Sequence, residues 1–146
     1  AQLGDETRAF QMCKRLLIAA LCIGCFSAFT SRLIPVYFPF AFTTDATVAS
    51  LMKEIAPVCS LALLLHTSSM ASEGCLLAGR DTRFMSLAYV PNALLAWLGL
   101  GFTLSKGFGI QSAWFALAQF HFVRLLVNSL RLLSKRSPLR RSLKED

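Results

Sequence analysis

The sequence predicts an all-α membrane protein with four transmembrane helices in up-down order. Apolar residues make up 55% of the 146-residue chain against 16% charged, with a mean hydropathy of +0.55. The charges are clustered, which leaves stretches of the roughly 20 apolar residues that a helix needs to cross about 30 Å of hydrocarbon. The breaks between those stretches, TTDAT, RDTR and SKGF, are short. Short breaks make consecutive helices antiparallel neighbours, two helical hairpins in all. Sheet alternation is missing, and a lipid-exposed backbone must satisfy its own hydrogen bonds, so helices are the expected state.

The elements follow in order. Residues 1–15, AQLGDETRAFQMCKR, form a polar and basic opening, expected to be a cytoplasmic linker. The membrane region is expected over 16–133. Its first segment runs from about Leu16 to Phe38, with Arg32 inside and Pro35 and Pro39 near its end. The second covers Val48 to Gly79, with Lys53 and Glu54 at its mouth and Pro57 a turn later. The third, Phe84 to Leu104, is the cleanest of the set and contains Pro91; prolines at 57 and 91 remove backbone hydrogen bonds and can kink their helices. The fourth, Gly109 to Leu133, carries His121, Arg124 and Asn128. Gly99, Gly101, Gly107 and Gly109 loosen the turn before it, and packing accounts for them. Residues 134–146 are a basic tail, expected to be solvated or to touch anionic lipid.

Lys and Arg concentrate in the opening, in RDTR and in the tail, whereas the other two breaks have about one each, Lys53 and Lys106. The positive-inside rule then puts both termini and RDTR on the cytoplasm-like side. The first residue is Ala, and the opening lacks a signal peptide's layout. A processed chain, or a piece of a longer one, is the expectation.

A net charge of +7 does not point to nucleic acid, because the basic residues flank apolar runs and are not interleaved with stacking aromatics. The cysteines stand at 13, 22, 25, 59 and 75, mostly inside apolar runs. Cys22-x-x-Cys25 has the form of a redox or metal pair, but on a membrane helix Cys is a small, well-packing hydrophobe, and that reading is preferred for the pair. His66 and His121 stand alone in sequence, without zinc-type spacing. No nucleophile–base set appears, so neither an enzyme nor a metal or other cofactor is expected.

Ionisable groups inside membrane segments are costly and mark function or pairing. Arg32 lies near a helix end, where its long stem can snorkel. Glu73 lies seven residues before Arg80, about 10 Å into its helix, too deep for a short acid to snorkel. Arg124 lies seven residues before Arg131, so its depth is similar. His121, Arg124, Asn128 and Arg131 recur at three- and four-residue spacing and share one helix face, a polar stripe that should turn inward. Glu73 is therefore expected to pair with Arg124 inside the bundle; the alternative is that it takes up a proton or cationic substrate itself. His66, Thr67, Ser68 and Ser69 place polar groups one turn earlier, either bonding back to the i−4 carbonyl or lining a cavity. Glu73, His66, Arg124, His121 and Asn128 are the candidate substrate or ion pathway.

FTTDATV (42–48), EGCLLAGRDTRF (73–84) and GIQSAWFALAQFHFVRLL (109–126), in this order, resemble the end of transporters of the multidrug and toxic compound extrusion (MATE) family. AQLGDETRA is similar to that family's Leu-Gly-rich cytoplasmic linker. EG-x-LLAGRD and the aromatic segment around Arg124 are most similar to the plastid MATE-like branch, related to a bacterial DNA-damage-inducible subgroup. The resemblance implies twelve helices in two six-helix lobes, with this chain supplying the last four. It implies export of an organic solute or drug in exchange for protons or sodium, in partnership with the missing N-terminal lobe and the lipid bilayer. For the plastid branch it implies the plastid envelope, with termini on the stromal side. Many members have a cation-binding acid one turn before Glu73; Met70 stands there, so the resemblance does not carry cation binding onto this helix. Glu73 itself matches an acid of the plastid-like branch. Two other classes fit four helices: a stand-alone membrane scaffold, and a small dimeric multidrug transporter with one membrane Glu per subunit. The linker-like start favours a piece of an antiporter over both.

Overall fold

The computed structural model describes residues 2–134, with side chains from Arg8 onward. Four α-helices follow one another: α1 Gln2–Tyr37, α2 Ala46–Ala78, α3 Thr82–Ser105 and α4 Gln111–Leu133, with a short 3-10 turn at Pro39–Ala41. Among the described residues there is no strand. The three later helices begin and end within two residues of the expected limits. The first differs, because α1 starts at Gln2 and takes the 2–15 stretch into one continuous helix. Gly4 is the weakest helix former there and no proline intervenes, so nothing breaks the run. Most of the basic tail, from 135 onward, lies outside the described residues.

Local chemistry explains the helix ends. Phe38 precedes Pro39, whose ring disfavours helical geometry in the residue before it, and Phe38 leaves the helix at φ −127° and ψ 40°. Asp45 caps α2, its carboxylate accepting from the backbone N–H of Thr47 at 2.7 Å and of Val48 at 3.4 Å. At the other end of α2 the N–H of Arg80 donates to the carbonyl of Leu77 and that of Asp81 to Leu76, a Schellman closure. Such a closure needs a left-handed residue, usually glycine. Here Arg80 takes it, at φ 56°, although Gly79 lies one position earlier. Relieving that strain in an Arg80→Gly variant should raise stability by about 1 kcal/mol, read as a higher unfolding midpoint in detergent. An unchanged or lower midpoint would mean that the arginine side chain compensates. Gly107 and Gly109 adopt φ 81° and 55° between α3 and α4, so the turn requires them for backbone conformation, beyond packing.

The packing is that of a membrane protein. Most buried positions are small or polar, among them Ala56, Ala62, Ser60, Ser69, Ser72 and Asn128, while Phe26, Phe29, Leu87, Trp97 and Phe102 are more than half exposed. In water this distribution would forfeit the hydrophobic driving force; in lipid, small residues let helices approach and large apolar ones meet acyl chains. Helices α1, α2 and α3 each have the length and composition to cross a membrane. The 23 residues of α4 have the length, and its polar stripe sets it apart from the other three.

Contacts along the helices establish the register. Along α1 and α2, Cys13 meets Cys75 and Ser31 meets Ser60, so the contacts rise on one as they fall on the other. The same holds for α3 and α4, where Phe84 meets Arg131 and Asn92 meets Phe120. Between α2 and α4 the contacts rise together, from Glu54 with Gln111 to Asp81 with Arg131. Helices α2 and α3, although joined by the shortest break, scarcely touch, and α4 packs against both. The polar stripe of α4 consequently has protein on two sides.

A polar seam as the candidate functional site

Along α2, residues 66, 69, 72 and 73 recur at helical spacing and face α4. Each meets a polar group of α4 or α3. His66 Nδ1 lies 3.3 Å from His121 Nε2, the rings edge to face at 4.7 Å between centroids. The other nitrogen of His121 lies 3.3 Å from the Ser69 hydroxyl. Asn128 Nδ2 donates to Ser72 Oγ at 3.2 Å. With Glu54–Gln111 at one end and the Asp81–Arg131 ion pair, 2.7 Å, at the other, the seam follows α2 for about 40 Å, the full depth of a bilayer.

Its centre of charge is the expected pair. Arg124 and Glu73 form an ion pair, with side-chain exposures of only 11% and 9%. A third member, Tyr89 of α3, donates its hydroxyl to Glu73 Oε1 at 2.9 Å and accepts from Arg124. The guanidinium also lies over the rings of Tyr89 and Phe120, at 4.6 and 5.7 Å from their centroids. Arg124 is thus held by a charge, a hydroxyl and two π-faces, the combination that makes a buried cation tolerable. Beside it lies a cavity of about 20 Å³, lined by Glu73, Tyr89, Asn92, Arg124 and Asn128 among others, enough for about one water molecule. Asn92 Nδ2 donates to the Phe120 carbonyl at 3.0 Å, while its Oδ1 is buried without a protein partner. A water in the cavity would satisfy it.

The candidates from the sequence thus come together in one seam. The two histidines, solitary in sequence, form a contact pair across 55 residues. Ser69 joins them, whereas the Thr67 and Ser68 hydroxyls bond back to the carbonyls of Leu63 and Leu64 on their own helix. Arg32 is exposed at its helix end, and Met70 lies 40% exposed, off the seam. Among the described residues no three His, Cys, Asp or Glu side chains gather as metal ligands. Sequence reasoning missed Tyr89 and Asn92. Their spacing of three on the most apolar segment was the available signal, since two polar groups on one face of a membrane helix need partners. It also drew no pairing for Cys13 and Cys75, which form a buried disulfide between α1 and α2. Cysteines 22, 25 and 59 are free.

No family model and no solved structure matches the chain. Among curated proteins it is similar to Protein DETOXIFICATION 47, chloroplastic, of Arabidopsis thaliana, with 30% identity over 127 residues, 87% of this chain. The chain spans 23% of the length of that relative. Over this stretch the chain is an integral membrane protein segment similar to a protein of the multidrug and toxic compound extrusion family.

Proposed function

We propose that the chain is the C-terminal part of a secondary active antiporter that exports an organic solute or drug in exchange for protons or sodium. The alignment along most of its length to a chloroplastic detoxification protein is the observation that carries this reading. In it, the four helices cross the bilayer in up-down order as the last four of twelve. The end of the bundle that carries Arg80 after α2, Arg83 on α3 and Arg131 on α4 faces the cytoplasm or stroma. That the relative is chloroplastic favours the plastid envelope as the membrane. The N-terminal lobe, which would complete the solute cleft, is the partner these helices require.

Within that machine Glu73 and Arg124 serve as a structural clamp between α2, α3 and α4, and coupling rests elsewhere. The support is geometric: the carboxylate is already occupied by Arg124 and Tyr89, and the adjoining cavity admits no organic solute. The test is gradient-driven solute uptake into vesicles containing the full-length protein, wild type and Glu73→Gln. Uptake should depend on a proton or sodium gradient in both, with the variant reduced only in proportion to the folded protein recovered. Absence of gradient-driven uptake in wild type would remove the antiporter reading. Uptake that persists in Glu73→Gln without gradient dependence would make Glu73 the coupling acid.

A further inference from the structure

The disulfide has no part in the seam, yet its position gives it a task. Cys13 lies on α1 and Cys75 on α2, 8% and 4% exposed, in a small cluster with Leu76, Met85 and Leu132. Cys75 is four residues, about 6 Å, from Gly79, where α2 ends. Cys13 is followed by the exposed Lys14 and Arg15, and Arg8 is exposed a turn and a half before it. The bond therefore lies one layer beneath the basic end of the bundle. Toward that end, Phe10 and Met12 of α1 are half or more exposed. The described side-chain hydrogen bond between α1 and α2, Ser31 with Ser60, lies at the opposite end. Midway, Gly24 lets α1 pass close to Thr67. Among the described residues of this end of α1, Leu17 also packs against that cluster.

Disulfides that only stabilise belong to oxidising compartments; one on a reducing side is transient or senses redox state. We propose that Cys13–Cys75 is a redox latch: oxidised, it clamps α1 against the stretch of α2 that carries Glu73, and a dithiol reductant opens it. The assignment of that end to the reducing side rests on the orientation proposed above. Opening breaks the Sγ–Sγ bond and yields two thiols. The dithiol supplies both electrons and both protons and closes to its own disulfide. With the bond open, the part of α1 that precedes Gly24 swings about the Gly24–Thr67 crossing while α2, α3 and α4 remain joined by the seam. The free cysteines 22, 25 and 59 take no part.

The test uses full-length protein in sealed vesicles, exposed on the basic side to dithiothreitol or to oxidised dithiothreitol, then quenched in acid. Maleimide mass-tagging after denaturation should count two more thiols in the reduced sample. Trypsin applied before quenching should cut at Arg8, Lys14 or Arg15 about tenfold faster when the bond is open, because local unfolding of that end then costs less. A Cys13→Ser, Cys75→Ser variant should be cut at the fast rate in both conditions. Equal cutting rates in oxidised and reduced wild type, or a bond that dithiothreitol leaves intact in folded protein, would overturn the latch. Wild type alone decides the matter if the variant fails to fold. Neither readout involves uptake, so failure of the latch and failure of the transport reading are separate results.

Discussion

Replacing Arg124 by Leu should destabilise the bundle by about 3–5 kcal/mol, the usual cost of stranding one member of a buried ion pair. Glu73 would keep its carboxylate, 9% exposed, with Tyr89 as its remaining partner. Glu73→Leu should cost a similar amount, since Arg124 would keep one hydroxyl and two aromatic faces but no countercharge. The double variant is the informative one. With both charges gone, apolar side chains fill a site that already borders Met85, Ala88, Val123 and Val127. Buried pairs replaced by well-packed apolar groups are often neutral or stabilising. The double Leu variant should therefore recover most of the loss, and unfolding in mixed micelles titrated with denaturing detergent measures all three. A double variant as unstable as the sum of the singles would mean that the residues act independently, contrary to a clamp. The charge-reversed pair, Glu73→Arg with Arg124→Glu, should recover less, because Tyr89 and Phe120 are placed to stack on a cation arriving from α4 and not from α2.

How legible this site was depended on whether its signal was local. Helix positions were legible because lipid imposes a length and a composition on each span, and proline, aspartate and glycine mark the ends. The three- and four-residue spacing of His121, Arg124, Asn128 and Arg131 showed a face. One buried acid at matching depth then named its partner, since few arrangements satisfy two charges in hydrocarbon. Contacts that depend on which helices touch were not legible. His66 and His121 meet because α4 packs beside α2, a choice that no local pattern encodes. Tyr89 enters the pair because α4 also packs on α3. The opening residues misled for a related reason: a polar, charged stretch reads as a linker, but nothing in it breaks a helix, and α1 runs through it. The disulfide was hidden by the same apolar context that makes a membrane cysteine look inert.

Cysteine 13 and 75 variants should show the second large effect, and its size should depend on how unfolding is measured. The bond closes a loop of 62 residues, for which loop-closure entropy gives about 4 kcal/mol when the reference is a disordered chain. In a bilayer the reference is different, because α1 and α2 stay inserted after they separate. Two helices confined to one membrane and joined by the eight residues between Tyr37 and Ala46 remain close without the bridge, so the entropy the bond removes is smaller. Cys13→Ala with Cys75→Ala should thus lose about 4 kcal/mol in a strongly denaturing detergent, which disperses the helices, and distinctly less in lipid bicelles. Single variants should match the double, because each already breaks the bridge and the remaining thiol is a tolerable apolar neighbour of Leu76 and Met85. Equal losses in detergent and bicelles would show that the bond acts through native packing and not through the unfolded chain. A single variant much worse than the double would instead assign the loss to the orphaned thiol. The smaller bilayer effect is what a working latch needs: the bridge can open in the membrane without dispersing the helices, while α2, α3 and α4 stay joined through Glu73, Tyr89 and Arg124.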